Sequence, residues 1–153
     1  MHNSISIHRA GTGDLSILLD LMQAFHAESG YPLDRTAAAA SFAALFADAG
    51  RGAVWRAERA GDAAGYVVLT LRHAMEFDGL AGHIDDLYVA PAHRRNGVAT
   101  VLLETLRAES RQFGVVALLV EVGRDNAAAR RTYGKSGLFD APGDRVLLAG
   151  RLA

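Results

Sequence analysis

Residues 85–99 constrain the fold most, because a strand, a turn and a helix follow one another there without a break. A short apolar strand ends at Pro91, an arginine-rich turn contains Gly97, and an amphipathic helix begins at once. Backbone N–H groups at such a turn, with the positive end of the helix dipole, suit a phosphate or pyrophosphate. Asp85 and Asp86 precede the turn, so the unit combines an anion site with a candidate base. An ordinary turn with solvated arginines would have the same local sequence.

The composition narrows the function classes. The chain has 153 residues, half of them apolar, which predicts one domain over residues 1–153 with a full core. A net charge of -1 gives no general attraction to nucleic acid or to an anionic membrane. The lack of cysteine excludes disulfides and thiolate metal sites and is compatible with a reducing cytoplasm. Neither a signal peptide nor a membrane span is indicated, so we expect a cytoplasmic protein, and its heavy arginine and alanine use is typical of a bacterial genome.

The spacing of apolar residues predicts the element order β-α-α-β-β-β-α-β-α-β, a mixed sheet with helices on its faces. The predicted strands are Ser4–Ala10, Ala53–Ala60, Gly65–Arg72, His83–Val89, Val115–Val122 and Arg145–Leu152. Helices are expected to begin near Leu15, Arg35, Gly97 and Asn126. Residues 73–81 are predicted to form a flexible connection. The near-continuous apolar run at 115–122 is typical of a strand that is buried on both faces.

A second pattern lies at residues 126–138. Asn126 is placed either to cap a helix or to hydrogen-bond a ligand that carries an amide. Tyr133 follows two helical turns later, so both side chains can face one groove. A phenol can donate a proton to a leaving thiolate. Taken alone, a helix cap and a tyrosine of the core would explain these two residues as well.

Together the two patterns resemble the GNAT superfamily of acyl-CoA-dependent N-acyltransferases. The R-x-x-G-x-A signature of the family's cofactor loop is present as Arg94, Gly97 and Ala99. The N-x-x-A-x-x-x-Y-x-K-x-G pattern of its later helix is present as Asn126, Ala129, Tyr133, Lys135 and Gly137. The family pattern usually ends in Gly-Phe, whereas this chain has Leu138 before Phe139. That departure affects packing and leaves the candidate catalytic residues in place.

The resemblance implies an α/β fold with a mixed, mostly antiparallel sheet of six to seven strands that splays between the fourth and fifth strands. About four helices would cover its faces. It also implies acetyl-CoA as the co-substrate, whose pantetheine arm would pair with the backbone of residues 87–89 like an added strand. The backbone and side chains expected in this cofactor site are Leu87, Tyr88, Val89, Arg94, Arg95, Asn96, Gly97, Val98, Ala99, Asn126, Ala129 and Lys135.

The implied reaction is direct attack of an amine on the acetyl carbonyl in a ternary complex. An alkyl ammonium has a pKa of about 10, so a base must remove its proton, directly or through water. Asp85 and Asp86 are the candidates, with Asp86 favoured, although both would equally suit binding of a cation or pairing with arginine. Alternation sends them to opposite faces, unless a β-bulge, common in the family, intervenes. Tyr133 would be the general acid for the thiolate.

The resemblance places the acceptor pocket at the end of the first helix and at the connection between the third and fourth strands. Several residues there are acidic, as a cationic amine requires. The candidates are His26, Glu28, Tyr31, Asp34, Glu76, Asp78 and His83. Any one of them would equally fit a solvated surface position. His26 and His83 lack a third ligand at metal spacing, so no metal is predicted.

Three functions remain open at this level. The chain would acetylate a small amine, as diamine and aminoglycoside acetyltransferases do, or a protein lysine or N-terminal amine. It would otherwise bind or sense acyl-CoA without turnover, but Tyr133 and the two aspartates argue against a pure binder. A homodimer agrees with the resemblance, and no sequence feature decides it.

Overall fold

Five strands form one mixed sheet in the computed structural model, which describes residues 4–152. The strands are β1 (Ile5–Arg9), β2 (Gly52–Arg59), β3 (Asp62–Ala74), β4 (Gly79–Val89) and β5 (Val115–Val120). Their order in the sheet follows the chain, with antiparallel pairing from β1 to β4 and parallel pairing of β4 with β5. The outermost residues of the predicted domain, 1–3 and 153, lie outside the described residues.

Four helices within residues 4–152 cover the two faces of this sheet, which confirms the predicted helix count. They are α1 (Leu15–Glu28), α2 (Arg35–Ala47), α3 (Val98–Gln112) and α4 (Ala127–Lys135). Alternation along β2 sends Val54 to the core beneath α1 and α2 and sends Trp55 to the core beneath α3 and α4. No helix in the described part of the chain is long and apolar enough to cross a bilayer.

The prediction of six to seven strands is wrong. Within residues 4–152 the sheet has five strands, and one of its four pairings is parallel. The predicted last strand, residues 145–152, has no regular secondary structure, although its apolar residues favour an extended backbone. A strand also needs a neighbouring edge to satisfy its N–H and C=O groups, and periodicity carries no information about that neighbour.

The structure also corrects the expectations for residues 73–81 and for β5. Residues 73–81 are not a flexible connection, because β3 and β4 extend into this range and a short 3-10 turn, Met75–Phe77, joins them. β5 is an edge strand and is not buried on both faces, since the side chain of Val116 is 61% exposed.

β4 has two irregularities near residues 84–86 that shape the candidate site. Its pairing with β5 ends at Ile84 opposite Val120, so the two strands part there, as predicted. Beyond that point residues 85–89 have no strand partner on this edge within the described chain. A β-bulge also lies in β4, because Val68 pairs with Asp86 while Leu69 pairs with Ile84. Asp85 is therefore the extra residue, and simple alternation does not apply to the two aspartates.

Candidate active site

The turn before α3 presents open backbone. Gly97 is the N-cap of the helix, with a φ of 82° and no side chain to satisfy the first N–H groups. A Cβ at this position would meet no atom within 4 Å. The left-handed backbone favours glycine, and the open space leaves room for an anion against the helix N-terminus.

Side chains of the same turn are used to hold the turn in place. Arg94 donates from Nε to the carbonyl of Val89 at 2.9 Å and from Nη2 to the Glu28 carboxylate at 2.7 Å. The Arg94 hydrogen bond lowers the pKa of Glu28. Asn96 accepts from Arg59 at 3.0 Å and donates to the carbonyl of Arg94 at 2.8 Å. These side chains therefore shape the loop and leave anion binding to the backbone.

Residues 87–89 lie beside this loop on the edge of β4 that β5 has left. On the other edge they pair with β3, where Leu87 lies opposite Val67 and Tyr88 opposite Tyr66. The buried Tyr88 ring stacks on Phe25 of α1, with ring centroids 5.1 Å apart. The segment is thus held rigidly by its neighbours while one backbone edge stays available to an extended ligand.

α4 packs on the same core as Leu87 of β4 and Val120 of β5. Asn126 caps this helix by accepting from the N–H of Ala129 at 3.1 Å, so the amide nitrogen remains as its donor toward a ligand. Gly137 ends the helix with a φ of 84°, and the N–H of Leu138 donates to the carbonyl of Tyr133 at 3.0 Å. Tyr133 is buried in the core beneath α3, whereas Lys135 is exposed in the last turn.

Asp86 is held by a residue that the sequence did not single out. The hydroxyl of the fully buried Tyr66 donates to Oδ2 of Asp86 at 3.0 Å. The pKa of Asp86 is raised, and burial is the largest cause. The charge of Asp85 also raises it, whereas the hydrogen bond from Tyr66 and the charge of His26 lower it. In the sequence, Tyr66 stands out only as a polar aromatic residue at the start of an otherwise aliphatic strand.

Tyr133 and Asp86 interact electrostatically across the site. Burial, followed by the negative charge of Asp86, raises the pKa of the Tyr133 phenol to about 12. The phenol is therefore protonated throughout the neutral range. The negative charge of Asp86 therefore influences the proton affinity of Tyr133.

A cavity of about 360 Å³ opens at the same aspartates on the α1 and α2 side of the sheet. Its walls are largely apolar and come from both helices and from β3. The lining residues are Met22, Ser41, Phe42, Ala44, Leu45, Val68, Thr70, Asp85 and Asp86. The β-bulge explains why both aspartates reach it.

The other predicted acceptor residues are not gathered into one acidic pocket. His26 lies close enough to Asp86 to influence its pKa. Glu28 is engaged by Arg94, and Glu76 lies 3.7 Å from Arg145. His83 lies between two carboxylates, 3.8 Å from Asp85 and 3.6 Å from Glu121.

Three further predicted residues, all in loops, are also placed apart from the cavity lining. Tyr31 is 68% exposed, and Asp34 caps α2 by accepting from the N–H of Ala37 at 3.1 Å. Asp78 adopts a left-handed conformation in the β3–β4 turn, with a φ of 50°.

Within residues 4–152, no group of three or more His, Asp and Glu side chains is arranged to hold a metal ion.

The pattern of helices and strands around this site has known counterparts. Residues 18–138 match the acetyltransferase (GNAT) family. The chain belongs to this family. GNAT enzymes use acetyl-CoA.

Solved structures carry the same fold. An integron cassette protein from the mobile metagenome of Cole Harbour Salt Marsh is 34% identical, with a TM-score of 0.86 over 96% of this chain and 90% of its own. A predicted acetyltransferase with acetyl-CoA from Clostridium acetobutylicum is 19% identical, with a TM-score of 0.77 over 95% and 96%. An aminoglycoside acetyltransferase from an uncultured soil metagenomic sample is 21% identical, with a TM-score of 0.77 over 96% and 99%. No curated protein matches the sequence.

The GNAT chain has the features that acetyl-CoA requires. A diphosphate fits the uncapped start of α3, where a Cβ at Gly97 would have no neighbour within 4 Å. An amide-bearing arm fits the unpaired edge at residues 87–89 and the amide nitrogen of Asn126. These backbone and amide donors are neutral, so they bind by geometry and dipole rather than by net charge.

Proposed function

We propose that this GNAT acetyltransferase acetylates the primary amine of a small molecule with an apolar body. The observation that carries the proposal is the largely apolar cavity that Asp86 lines, with a hydrogen bond from Tyr66 to the carboxylate. Acetyl-CoA supplies the activated acyl thioester when it is bound. The chain's own residues must then bind the amine, take up its proton and assist the departing sulfur.

Asp86 is suited to take up the amine proton. Burial raises its pKa, so its carboxylate is a stronger base than an exposed one. The ammonium form of an alkyl amine has a pKa of about 10, so its proton is not lost spontaneously at neutral pH. An ammonium in the cavity would lie beside two carboxylates, and transfer to Asp86, directly or through water, leaves a neutral amine for attack.

Tyr133 is suited to assist the leaving sulfur. An ordinary thiol has a pKa of about 8.5, below that of this phenol, so the phenol assists mainly by hydrogen bonding to the developing thiolate. Protonation of Asp86 would remove the negative charge that raises the pKa of Tyr133. Uptake of the amine proton thus makes the phenol a stronger acid when the sulfur departs.

The cavity favours an amine with one positive charge and an apolar body. Asp85 and Asp86 are its charged lining residues, Ser41 and Thr70 are polar, and Met22, Phe42, Ala44, Leu45 and Val68 are apolar. A polyamine or an aminoglycoside would bury further ammonium groups beside these side chains without a carboxylate partner beyond the two aspartates, which is costly. An arylalkylamine would place its ammonium at the aspartates and its ring among the apolar side chains.

Release of free thiol from acetyl-CoA tests the proposal, and the cysteine-free chain does not react with thiol reagents. The panel pairs 2-phenylethylamine and tryptamine with spermidine, an aminoglycoside and a lysine peptide. We expect kcat/KM to be at least about tenfold higher for the two arylalkylamines, equivalent to about 1.4 kcal/mol. Faster acetylation of spermidine, the aminoglycoside or the peptide would refute the proposed acceptor class. Binding of coenzyme A without thiol release for any amine would refute the proposed acetyltransferase activity.

A further inference from the structure

The turn before α3 contains a strained residue. Arg95 has a φ of 63°, in the left-handed region that residues other than glycine seldom adopt. Such a backbone costs free energy and persists only when neighbouring groups hold it. Gly97, two residues later, is also left-handed, with a φ of 82°. The start of α3 therefore depends on a turn that needs support from elsewhere in the chain.

The side chain of Asn96 supplies part of this support. Its amide nitrogen donates to the carbonyl of Arg94 at 2.8 Å, so the bond spans the strained Arg95. Its Oδ1 accepts from Nη2 of Arg59 at 3.0 Å, and Arg59 is the last residue of β2. Asn96 therefore connects the turn to a strand that lies 37 residues earlier in the chain.

Arg59 contacts the connection between β4 and α3 at a second point. Its Nη1 lies 3.3 Å from Nδ1 of His93, which is buried in the short 3-10 turn after β4. A guanidinium carries only donors, so Nδ1 of His93 accepts and the proton of the neutral ring is on Nε2. One planar group thus fixes two residues of this connection at once.

The β2–β3 hairpin that carries Arg59 is packed closely against β4. The N–H of Ala90 donates to the carbonyl of Ala64 at 2.8 Å. A Cβ at Gly65 would lie 2.3 Å from the carbonyl oxygen of Tyr88, so only glycine allows the two backbones to approach in this way. The hairpin therefore gives Arg59 a firm base from which to hold the turn.

Packing alone does not explain an arginine at position 59. Its Nε is buried and has no hydrogen-bond partner within residues 4–152. Burial of such a donor is unfavourable, and an unbranched apolar side chain would avoid the loss. What the arginine adds is the pair of bonds from Nη1 and Nη2 to the β4–α3 connection.

We propose that Arg59 is a positioning residue for the diphosphate of acetyl-CoA. It acts through Asn96 and His93, which hold the turn so that the N–H groups at the start of α3 are arranged for the anion in advance. Without Arg59 the turn would relax at Arg95, and ordering it again on binding would lower the affinity. The inference rests on the proposed function only in taking acetyl-CoA as the ligand of this turn, and it does not depend on which amine is acetylated.

Calorimetric binding of coenzyme A to Arg59→Met tests the proposal without any acetyl transfer. Methionine keeps an unbranched side chain of similar length but donates no hydrogen bond. We expect Kd to rise about tenfold or more, equivalent to about 1.4 kcal/mol. Arg51→Met is the matched control, because it removes the same charge beside the other end of β2, where Arg51 is exposed and pairs with Asp48. An unchanged Kd in Arg59→Met, or an equal rise in Arg51→Met, would overturn the proposal.

Arg59→Lys separates hydrogen-bond geometry from charge. Lysine retains the positive charge, but its ammonium does not reproduce the planar fork that reaches both Asn96 and His93. We therefore expect Arg59→Lys to bind coenzyme A about as weakly as Arg59→Met. A wild-type Kd would show that charge alone is sufficient and would overturn the positioning role. Circular dichroism confirms that each variant is folded.

A double-mutant cycle tests the path through Asn96. Because Arg59 and Asn96 act on the turn together, the combined Arg59→Met and Asn96→Ala variant should bind coenzyme A about as weakly as Arg59→Met alone. Multiplicative losses would show that the two residues act independently and would overturn the proposal.

A truncated donor locates the effect within acetyl-CoA. S-Acetylpantetheine carries the thioester and the amide-bearing arm but lacks the diphosphate. We expect Arg59→Met to raise KM for acetyl-CoA about tenfold, with kcat at saturation and kcat/KM for S-acetylpantetheine within about twofold of wild type. Equal losses for both donors would indicate a general disturbance of the fold and would overturn the proposal. If no amine is acetylated by the wild type, the proposed function fails, and the calorimetric result still decides the role of Arg59.

Discussion

The Tyr66 hydroxyl hydrogen-bonds Oδ2 of Asp86 at 3.0 Å across the β3–β4 pair. The two residues are diagonal neighbours, since Tyr66 lies opposite Tyr88 and Asp86 opposite Val68. The bond orients a carboxylate that lines the apolar cavity and connects it to the core beneath α1 and α2. The proposed base is therefore positioned by a residue outside the cofactor motifs.

Tyr66→Phe is expected to lower activity mainly at acidic pH. The hydrogen bond favours the carboxylate, so its removal raises the pKa of Asp86 further and moves the acidic limb of kcat/KM to higher pH. We expect about a tenfold loss near that limb, corresponding to about 1.4 kcal/mol. The pH–rate profile measures it, and the loss should shrink at alkaline pH, where Asp86 is ionised in both proteins. A uniform loss at every pH would contradict this role.

Asp86→Asn is expected to remove the base and lower kcat/KM by about 10² to 10⁴-fold. Asp85→Asn is the matched comparison. The charge of Asp85 raises the pKa of Asp86, so its removal should move the acidic limb to lower pH, opposite to the shift in Tyr66→Phe. Equal losses in the two asparagine variants, without a shift of the limb, would argue against Asp86 as the single base.

Tyr133→Phe is expected to slow turnover by about 10 to 100-fold while leaving the affinity for coenzyme A unchanged. The ring remains in the core beneath α3, and only the proton offered to the leaving sulfur is lost. Steady-state kcat and calorimetric binding of coenzyme A separate the two effects. Wild-type kcat would show that the phenol only packs.

Gly97→Trp is expected to abolish binding of coenzyme A, because the indole would fill the space against the α3 N-terminus. Gly61→Trp is the matched control. Both glycines have a positive φ, 82° and 81°, and at both positions a Cβ would have no neighbour within 4 Å. Backbone strain should therefore lower Tm similarly in both variants, and only Gly97→Trp should lose calorimetric binding. Unchanged affinity would remove the diphosphate from this turn.

Short-range chemistry made several parts of the site predictable. Asn126 marks the start of α4 by side-chain capping, and Gly137 marks its end with a left-handed backbone. Both effects depend only on nearby residues. Gly97 before an amphipathic helix indicated an open helix N-terminus for the same reason. The sequence by itself thus determined the helices and the family, and it predicted the cofactor loop.

The tertiary structure alone decided which of these groups meet. The bulge at Asp85 arises from β3–β4 register, and the hydrogen bond from Tyr66 joins residues on different strands. The salt bridge of Glu28 with Arg94 is also a tertiary contact. It joins a residue predicted for the acceptor pocket to one predicted for the cofactor site. Apolar periodicity likewise predicted a last strand at 145–152, but a strand forms only where another edge meets it. Local pattern determines what each segment can form, whereas long-range pairing and burial decide which partners it finds and which carboxylate loses water.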